Sequence, residues 1–294
     1  MQEILDWGID VVLWFQQYSP TFDLTFIVFS FTGSELFFLL LLPMISWCIS
    51  PRVGVRLLIL VLLNTYVNAI AKLIFAQPRP FEYDPRVLKI EHAIGGGLPS
   101  GHTQTAVIFW GYLSSFYKNK WLWGMTLVML IFVPLSRIYL GVHFPTDLLG
   151  GYILGLIMLM LFLKFEQPFI DWISRKTFVW QLLLAFLFPV ALAIITPEMD
   201  QIMISIVGVL TGTLVGIVLA NKYLDFQVTS SIWKKIACYI IGIVILFAIY
   251  VGLKKLFIDL QPAANFRYIR YTLVGLHFTF FAPWVFTKLK LDQS

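Results

Sequence analysis

Long apolar runs broken by short polar stretches make up most of this chain. Residues 1–18 differ: Ile4, Leu5, Ile9, Val12, Leu13 and Phe15 recur at helical spacing opposite Glu3, Asp6 and Asp10. That pattern predicts an amphipathic helix lying on a membrane surface. Residues 20–49 are apolar but interrupted by Thr32-Gly33-Ser34-Glu35. They read as one long tilted span, or as an interfacial piece followed by a span at about 33–49. Further spans are expected at 53–74, 100–117, 121–138 and 145–164, the second ending in Lys72 and the fifth opening on Pro145. After a joint at 165–179 come four more, at 180–196, 201–221, 233–253 and 267–287, with Pro189 a candidate kink. Each run is close to the roughly 20 residues a bilayer needs, which gives about nine spans. Gly151 and Gly155 share a face of the fifth span, and Gly208, Gly212 and Gly216 share one in the second half. Both stripes are suited to close helix packing.

Composition raises the class from apolar to membrane-embedded. Hydrophobic residues are 59% of the 294 and charged residues 13%, with a mean hydropathy of +0.84. A soluble domain carries roughly a quarter charged residues. The fold class is therefore all-α, a polytopic helical membrane protein, because backbone polar groups must be satisfied within each span. Two domains are expected, residues 1–165 and a membrane extension at 166–294. The net charge of +5 is spread through the loops. It indicates contact with anionic membrane lipids, and no nucleic acid is expected as a partner. Cys48 and Cys238 lie in apolar runs and read as small buried hydrophobes. The first ten residues carry three acids and no Lys or Arg, unlike the basic start of a secretory signal.

Three polar stretches at the span ends carry the candidate chemistry. Lys72 through Arg79-Pro80 spells K-x6-R-P, Pro99-Ser100-Gly101-His102 opens the third span, and Ser136-Arg137 through His143 to Asp147 joins the fourth and fifth. Charged groups at a membrane edge are costly and need a reason. Pro145 suits the first turn of a helix, so His143 and Asp147, four apart, share one face or nearly so. The carboxylate would then fix the tautomer of the imidazole and raise the basicity of its other nitrogen.

In order and spacing this three-part pattern resembles the type 2 phosphatidic acid phosphatase (PAP2) superfamily, with every motif position filled, over roughly residues 20–165. The resemblance implies a PAP2-type helical core and a metal-independent lipid phosphatase with no cofactor. No carboxylate cluster accompanies the histidines, as a two-metal site would need. A phosphate ester needs a cationic clamp, a nucleophile and an acid for the leaving oxygen. Lys72, Arg79 and Arg137 would clamp, and Ser100 and Gly101 would offer helix N-terminal N–H groups. His143 would attack phosphorus, Asp147 would orient it, and His102 would protonate the leaving group and then activate water. The family assigns the same roles to its matching residues. His92 reads as a solvated loop residue, Glu82, Asp84 and Glu91 as loop solvation or as groups that shape substrate entry, and Arg267, Arg270, Lys254 and Lys255 as span-end cations that snorkel to headgroups or grip substrate.

Hydrolysis and phosphotransfer to an acceptor remain open at the same site. A transporter is disfavoured, since the charged motifs occur only in the first half and no second copy appears. The expected partner is a lipid phosphate: phosphatidic acid, phosphatidylglycerol phosphate, a sphingoid phosphate or a polyprenyl diphosphate. The extra spans are similar to those of sphingosine-phosphate phosphatases and glucose-6-phosphatase. Oligomeric state is not encoded in any motif. Alternating sides of the membrane hold twelve and nine Lys and Arg residues, and six remain on the second side once Lys72, Arg79 and Arg137 are discounted. The richer side is expected to be cytoplasmic, so the site faces the periplasm or lumen of what reads as a bacterial inner-membrane protein.

Overall fold

The computed structural model describes residues 2–196, 200–258 and 260–292, and every regular element among them is a helix. In chain order the helices are α1 (Gln2–Gln16), α2 (Asp23–Phe31), α3 (Glu35–Cys48), α4 (Pro51–Phe75), the short α5 (Pro80–Tyr83), α6 (Gly101–Tyr117), α7 (Lys120–Tyr139) and α8 (Pro145–Ser174). Then follow α9 (Phe178–Ile195), α10 (Gln201–Tyr223), α11 (Ile232–Leu256), α12 (Ala263–Leu276), a π-helical stretch His277–Phe281 and α13 (Ala282–Lys288).

Six of these are long and apolar enough to cross a membrane, or seven if the pair α2 and α3, bent by 50°, forms one span. The chain is an integral membrane protein. The expected nine is an approximate count. The 17-residue α6 is too short to be among the six, and the last expected span is divided among α12, the π-helical stretch and α13. Pro189 lies within α9, which runs unbroken through it. α8 continues to Ser174, ten residues beyond the expected end. Lys164, Glu166 and Gln167 are good helix formers, and the helix runs on through Pro168.

The chain forms two compact units: residues 1–38 with 63–166, and residues 39–62 with 167–294. In the first, α6 ends at Lys118, which takes a left-handed turn, and Asn119 caps α7 by accepting from the Trp121 N–H at 2.8 Å. Gly151 and Gly155 seat α8 against α6: a Cβ on Gly151 would lie 2.7 Å from the Ser100 carbonyl oxygen, and one on Gly155 3.0 Å from that of Gln104. The face of α1 formed by Leu5, Ile9 and Val12 is buried with Val87, Ile138, Phe144 and Leu148. The expected surface helix is thus packed on protein through its apolar face, because those side chains find an apolar partner in the loop before α8. Gln16 completes the contact, donating to the carbonyls of Leu88 (2.7 Å) and Tyr139 (3.0 Å).

In the second unit Gly208, Gly212 and Gly216 of α10 bear on α12 and the π-helical stretch; a Cβ on Gly208 would sit 2.8 Å from the Tyr268 carbonyl oxygen. Trp47 is buried beside His277 and donates to the Phe278 carbonyl at 3.0 Å. Cys48 and Cys238 are buried free thiols. Arg270 is buried against the rings of Tyr250 and Tyr271. It does not extend to a headgroup, since two aromatic faces hold its guanidinium inside.

Candidate active site

The site lies within the first unit, where four chain segments meet. Ser100 caps α6: its Oγ accepts from the Thr103 N–H (3.4 Å) and from the Thr103 hydroxyl (3.0 Å). The Ser100 N–H donates to the Asp147 carbonyl at 2.9 Å, which ties the start of α6 to the first turn of α8. Gly101 faces Asn68 of α4; a Cβ there would lie 3.1 Å from Asn68 Oδ1. Asn68 Nδ2 in turn donates to the Pro99 carbonyl (3.2 Å) and to Gln104 Oε1 (2.7 Å), and Asn64 Nδ2 donates to Thr105 Oγ1 at 3.1 Å. One turn on, Lys72 Nζ donates to the Gly96 carbonyl at 2.7 Å.

Arg79 is 3% exposed. Its Nε donates to Gly95 O (2.8 Å), Nη2 to Ile94 O (2.9 Å) and Nη1 to Val142 O (2.8 Å). The same Nη1 lies 3.3 Å from His143 Nε2. His143 Nδ1 is 3.0 Å from Asp147 Oδ2. Since the Asp147 carboxylate only accepts, Nδ1 carries the proton and Nε2 keeps its lone pair. That lone pair faces the guanidinium, where an anion bound to Arg79 would sit.

The loop that presents His143 is set by sequence. Gly141 adopts a positive φ of +74°, which glycine tolerates, so α7 can end and the chain reverse. The N–H groups of Val142 and His143 both donate to the Arg137 carbonyl, at 3.1 and 3.2 Å. Pro145 opens α8, and Asp147 Oδ2 accepts from the Phe144 N–H at 2.9 Å. Asp147 Oδ1 accepts from Gln77 Nε2 at 2.7 Å. The carboxylate is completely buried with both oxygens bonded. Burial, followed by the charges of Arg137, Arg79, Lys72 and His102, holds the His143 imidazole well below the ordinary histidine range. Those influences favour the neutral imidazole, the form a nucleophilic role would require.

His102 packs at the bend between α2 and α3, where a Cβ on Gly33 would lie 2.6 Å from its Cδ2. Its Nε2 has no hydrogen-bond partner among the described residues. Arg137 is buried, and its Nη1 donates to Glu91 Oε2 at 2.7 Å and to the Ser30 hydroxyl. The structure thus gathers Lys72, Arg79, Ser100, Gly101, His102, Arg137, His143 and Asp147 in one unit.

Several supporting groups were not expected from sequence. Glu91 forms an ion pair with a buried arginine, because the loop that carries it folds back over α7. Glu82 accepts from the Arg79 backbone N–H at 2.9 Å, and Asp84 pairs with Arg86 at 2.7 Å, which holds the Asp84 carboxyl below its usual range. His92 is exposed. One signal for the missed groups was present: Asn64, Asn68 and Lys72 recur every four residues and mark one face of an apolar helix as polar.

A family profile described as the PAP2 superfamily matches residues 53–171, and another, the PAP2 superfamily phosphatase transmembrane extension, matches 204–294. Human sphingosine-1-phosphate phosphatase 2 is 33% identical over 137 residues, covering 44% of this chain and 34% of that protein. Mouse sphingosine-1-phosphate phosphatase 1 is 25% identical over 311 residues, covering 88% and 70%. Undecaprenyl-diphosphatase BcrC of Bacillus subtilis is 29% identical over 112 residues, covering 37% and 57%. The chain thus spans about a third of the length of the human relative.

Proposed function

Since the chain belongs to the PAP2 superfamily, we propose that it is a membrane phosphatase that hydrolyses lipid phosphate esters through a phosphohistidine intermediate. The observation that carries this reading is the Asp147–His143–Arg79 alignment, at 3.0 and 3.3 Å, with the unprotonated Nε2 turned to the Arg79 guanidinium. Phosphate would lie among Arg79, Lys72 and Arg137 and the N–H groups at the start of α6, whose dipole favours an anion. Nε2 attacks phosphorus while His102 delivers a proton to the leaving oxygen. Asp147 stabilises the imidazolium that forms. His102, now neutral, takes a proton from water, which attacks the phosphohistidine and regenerates His143 and inorganic phosphate. The three cations offset charge on the equatorial oxygens at each step. Neither a metal nor a cofactor enters the scheme.

The names of the relatives favour a sphingoid or polyprenyl phosphate as the substrate class, its tail remaining in the bilayer. Denaturing in alkali after brief exposure to ³²P-labelled lipid phosphate is expected to trap label on the protein, and acid is expected to release it. Label of equal amount on the His143→Ala protein would sink the phosphohistidine reading. Residues 1–165 are proposed as the catalytic part and 166–294 as a membrane extension.

The site is proposed to face the periplasm or lumen, on the excess of Lys and Arg on the other side. With Cys48 and Cys238 replaced, Asp84→Cys is expected to react with an impermeant maleimide in intact cells, and Asn119→Cys only after permeabilisation. The reverse pattern would invert the orientation.

A further inference from the structure

Glu91 occupies the arginine that the proposed mechanism needs for phosphate, and Ser30 shares the contact. Arg137 Nη1 donates to Glu91 Oε2 at 2.7 Å and to the Ser30 hydroxyl, and Ser30 Oγ itself donates to Glu91 Oε2 at 2.7 Å. A carboxylate oxygen held by a guanidinium and a hydroxyl is bound as a phosphate oxygen would be. The exposures are unequal: the Arg137 side chain is 3% exposed, Ser30 is buried, and the Glu91 side chain is 31% exposed. Of the groups on Nη1, the carboxylate is the one that reaches solvent. Its backbone is anchored next door, where the Ile90 N–H donates to the Leu140 carbonyl at 3.2 Å. Beyond it the chain reaches Gly95, at a positive φ of +71° with nothing near the place of a Cβ and its carbonyl held by Arg79 Nε at 2.8 Å.

We propose that Glu91 is a specificity-determining residue that acts as an internal anion, neutralising Arg137 in the empty site and yielding it to the substrate phosphate. The inference rests on the phosphatase reading above. Exchange replaces one negative charge with nearly two, so it favours a phosphate dianion and offers little to a monoanionic ester or a carboxylate. Tethered at Ile90, the displaced carboxylate stays at high effective concentration and returns when product phosphate leaves. No bond is made or broken; one anion replaces another.

The alternative is that Glu91 only aligns Arg137, and the two accounts predict opposite signs. Binding of inorganic phosphate is measured by calorimetry on the detergent-solubilised full chain and on its Glu91→Gln and Glu91→Ala variants. Competition predicts about tenfold tighter phosphate binding once the internal anion is removed, an improvement that loss of an aligning group would not produce. Tighter binding in either folded variant supports the proposal. Unchanged or weaker binding in every folded variant overturns it and leaves the phosphatase reading standing. Absence of phosphate binding to the unaltered protein would overturn that reading and this inference with it.

Discussion

In the first unit Gly151 and Gly155 let α8 close on α6, and in the second Gly208, Gly212 and Gly216 let α10 close on α12. The packing device is the same: small residues bring two helix backbones together where apolar side chains alone give little drive inside a bilayer. What differs is what the close approach delivers. In the first unit it brings the capped start of α6 to the start of α8, where Ser100 N–H meets the Asp147 carbonyl and two helix N-termini converge on buried cations. In the second it delivers side chains that satisfy one another locally, such as the Tyr268 hydroxyl on Thr211 at 3.1 Å and the Thr279 hydroxyl on the Thr213 carbonyl at 3.2 Å. Each unit also buries a histidine. His143 pairs with a carboxylate and faces a guanidinium, whereas His277 lies 2.9 Å from the Gly242 carbonyl and beside Trp47. In this chain the same packing device gathers the candidate site in the first unit, where its end is also a helix terminus among buried cations.

The largest expected effect tests the two histidines against each other. His143→Ala is expected to lower turnover of a lipid phosphate by roughly 10⁴-fold or more, with the thermal unfolding of the protein in detergent little changed. His277→Ala is expected to do the reverse: lose stability by about 1–3 kcal/mol and keep turnover per folded molecule. Comparable loss of turnover in both variants would show that the second unit takes part in the chemistry, and the contrast would fail.

Enlarging one glycine in each seam gives the next largest effect. Gly151→Leu and Gly212→Leu are both expected to destabilise, by at least about 1–3 kcal/mol, since each intrudes on facing backbone. Only Gly151→Leu should also reduce turnover per folded molecule, because it moves Ser100 relative to Asp147. Unfolding temperature and turnover of the folded fraction, measured on the same samples, separate the two outcomes.

The smallest effect is a titration. Burial and four neighbouring positive or protonatable groups lower the proton affinity of His143, so its neutral form should persist as pH falls through the ordinary histidine range. In the free protein, ¹³C-histidine NMR is expected to show the His143 signal unchanged between pH 8 and about 6.5, the usual midpoint, and titrating only below it. Replacing Lys72 by Met removes one of those cations and should move the midpoint upward. A His143 midpoint at or above the ordinary value would show that its carboxylate outweighs the cations.

Much of the fold was legible in the sequence because the signals are local. Apolar runs of span length, Pro145 at a helix start and glycines every fourth residue each act through the few residues around them. The motif residues were legible for the same reason: Lys72 to Arg79, Ser100 to His102 and Arg137 to Asp147 are short, ordered patterns. Tertiary structure alone decided who partners whom across long separations. Gln77 meets Asp147 seventy residues away, Arg137 meets Glu91 across 46 and Ser30 across 107, and Gln16 meets Tyr139 across 123. Each such bond requires donor and acceptor within about 3 Å and in line, a condition set by the path of the whole chain. Hydropathy does not carry it, so Glu91 read as a solvated loop acid and the first helix as a membrane-surface element. In the folded protein one closes on a buried arginine and the other packs its apolar face against the loop that carries His143.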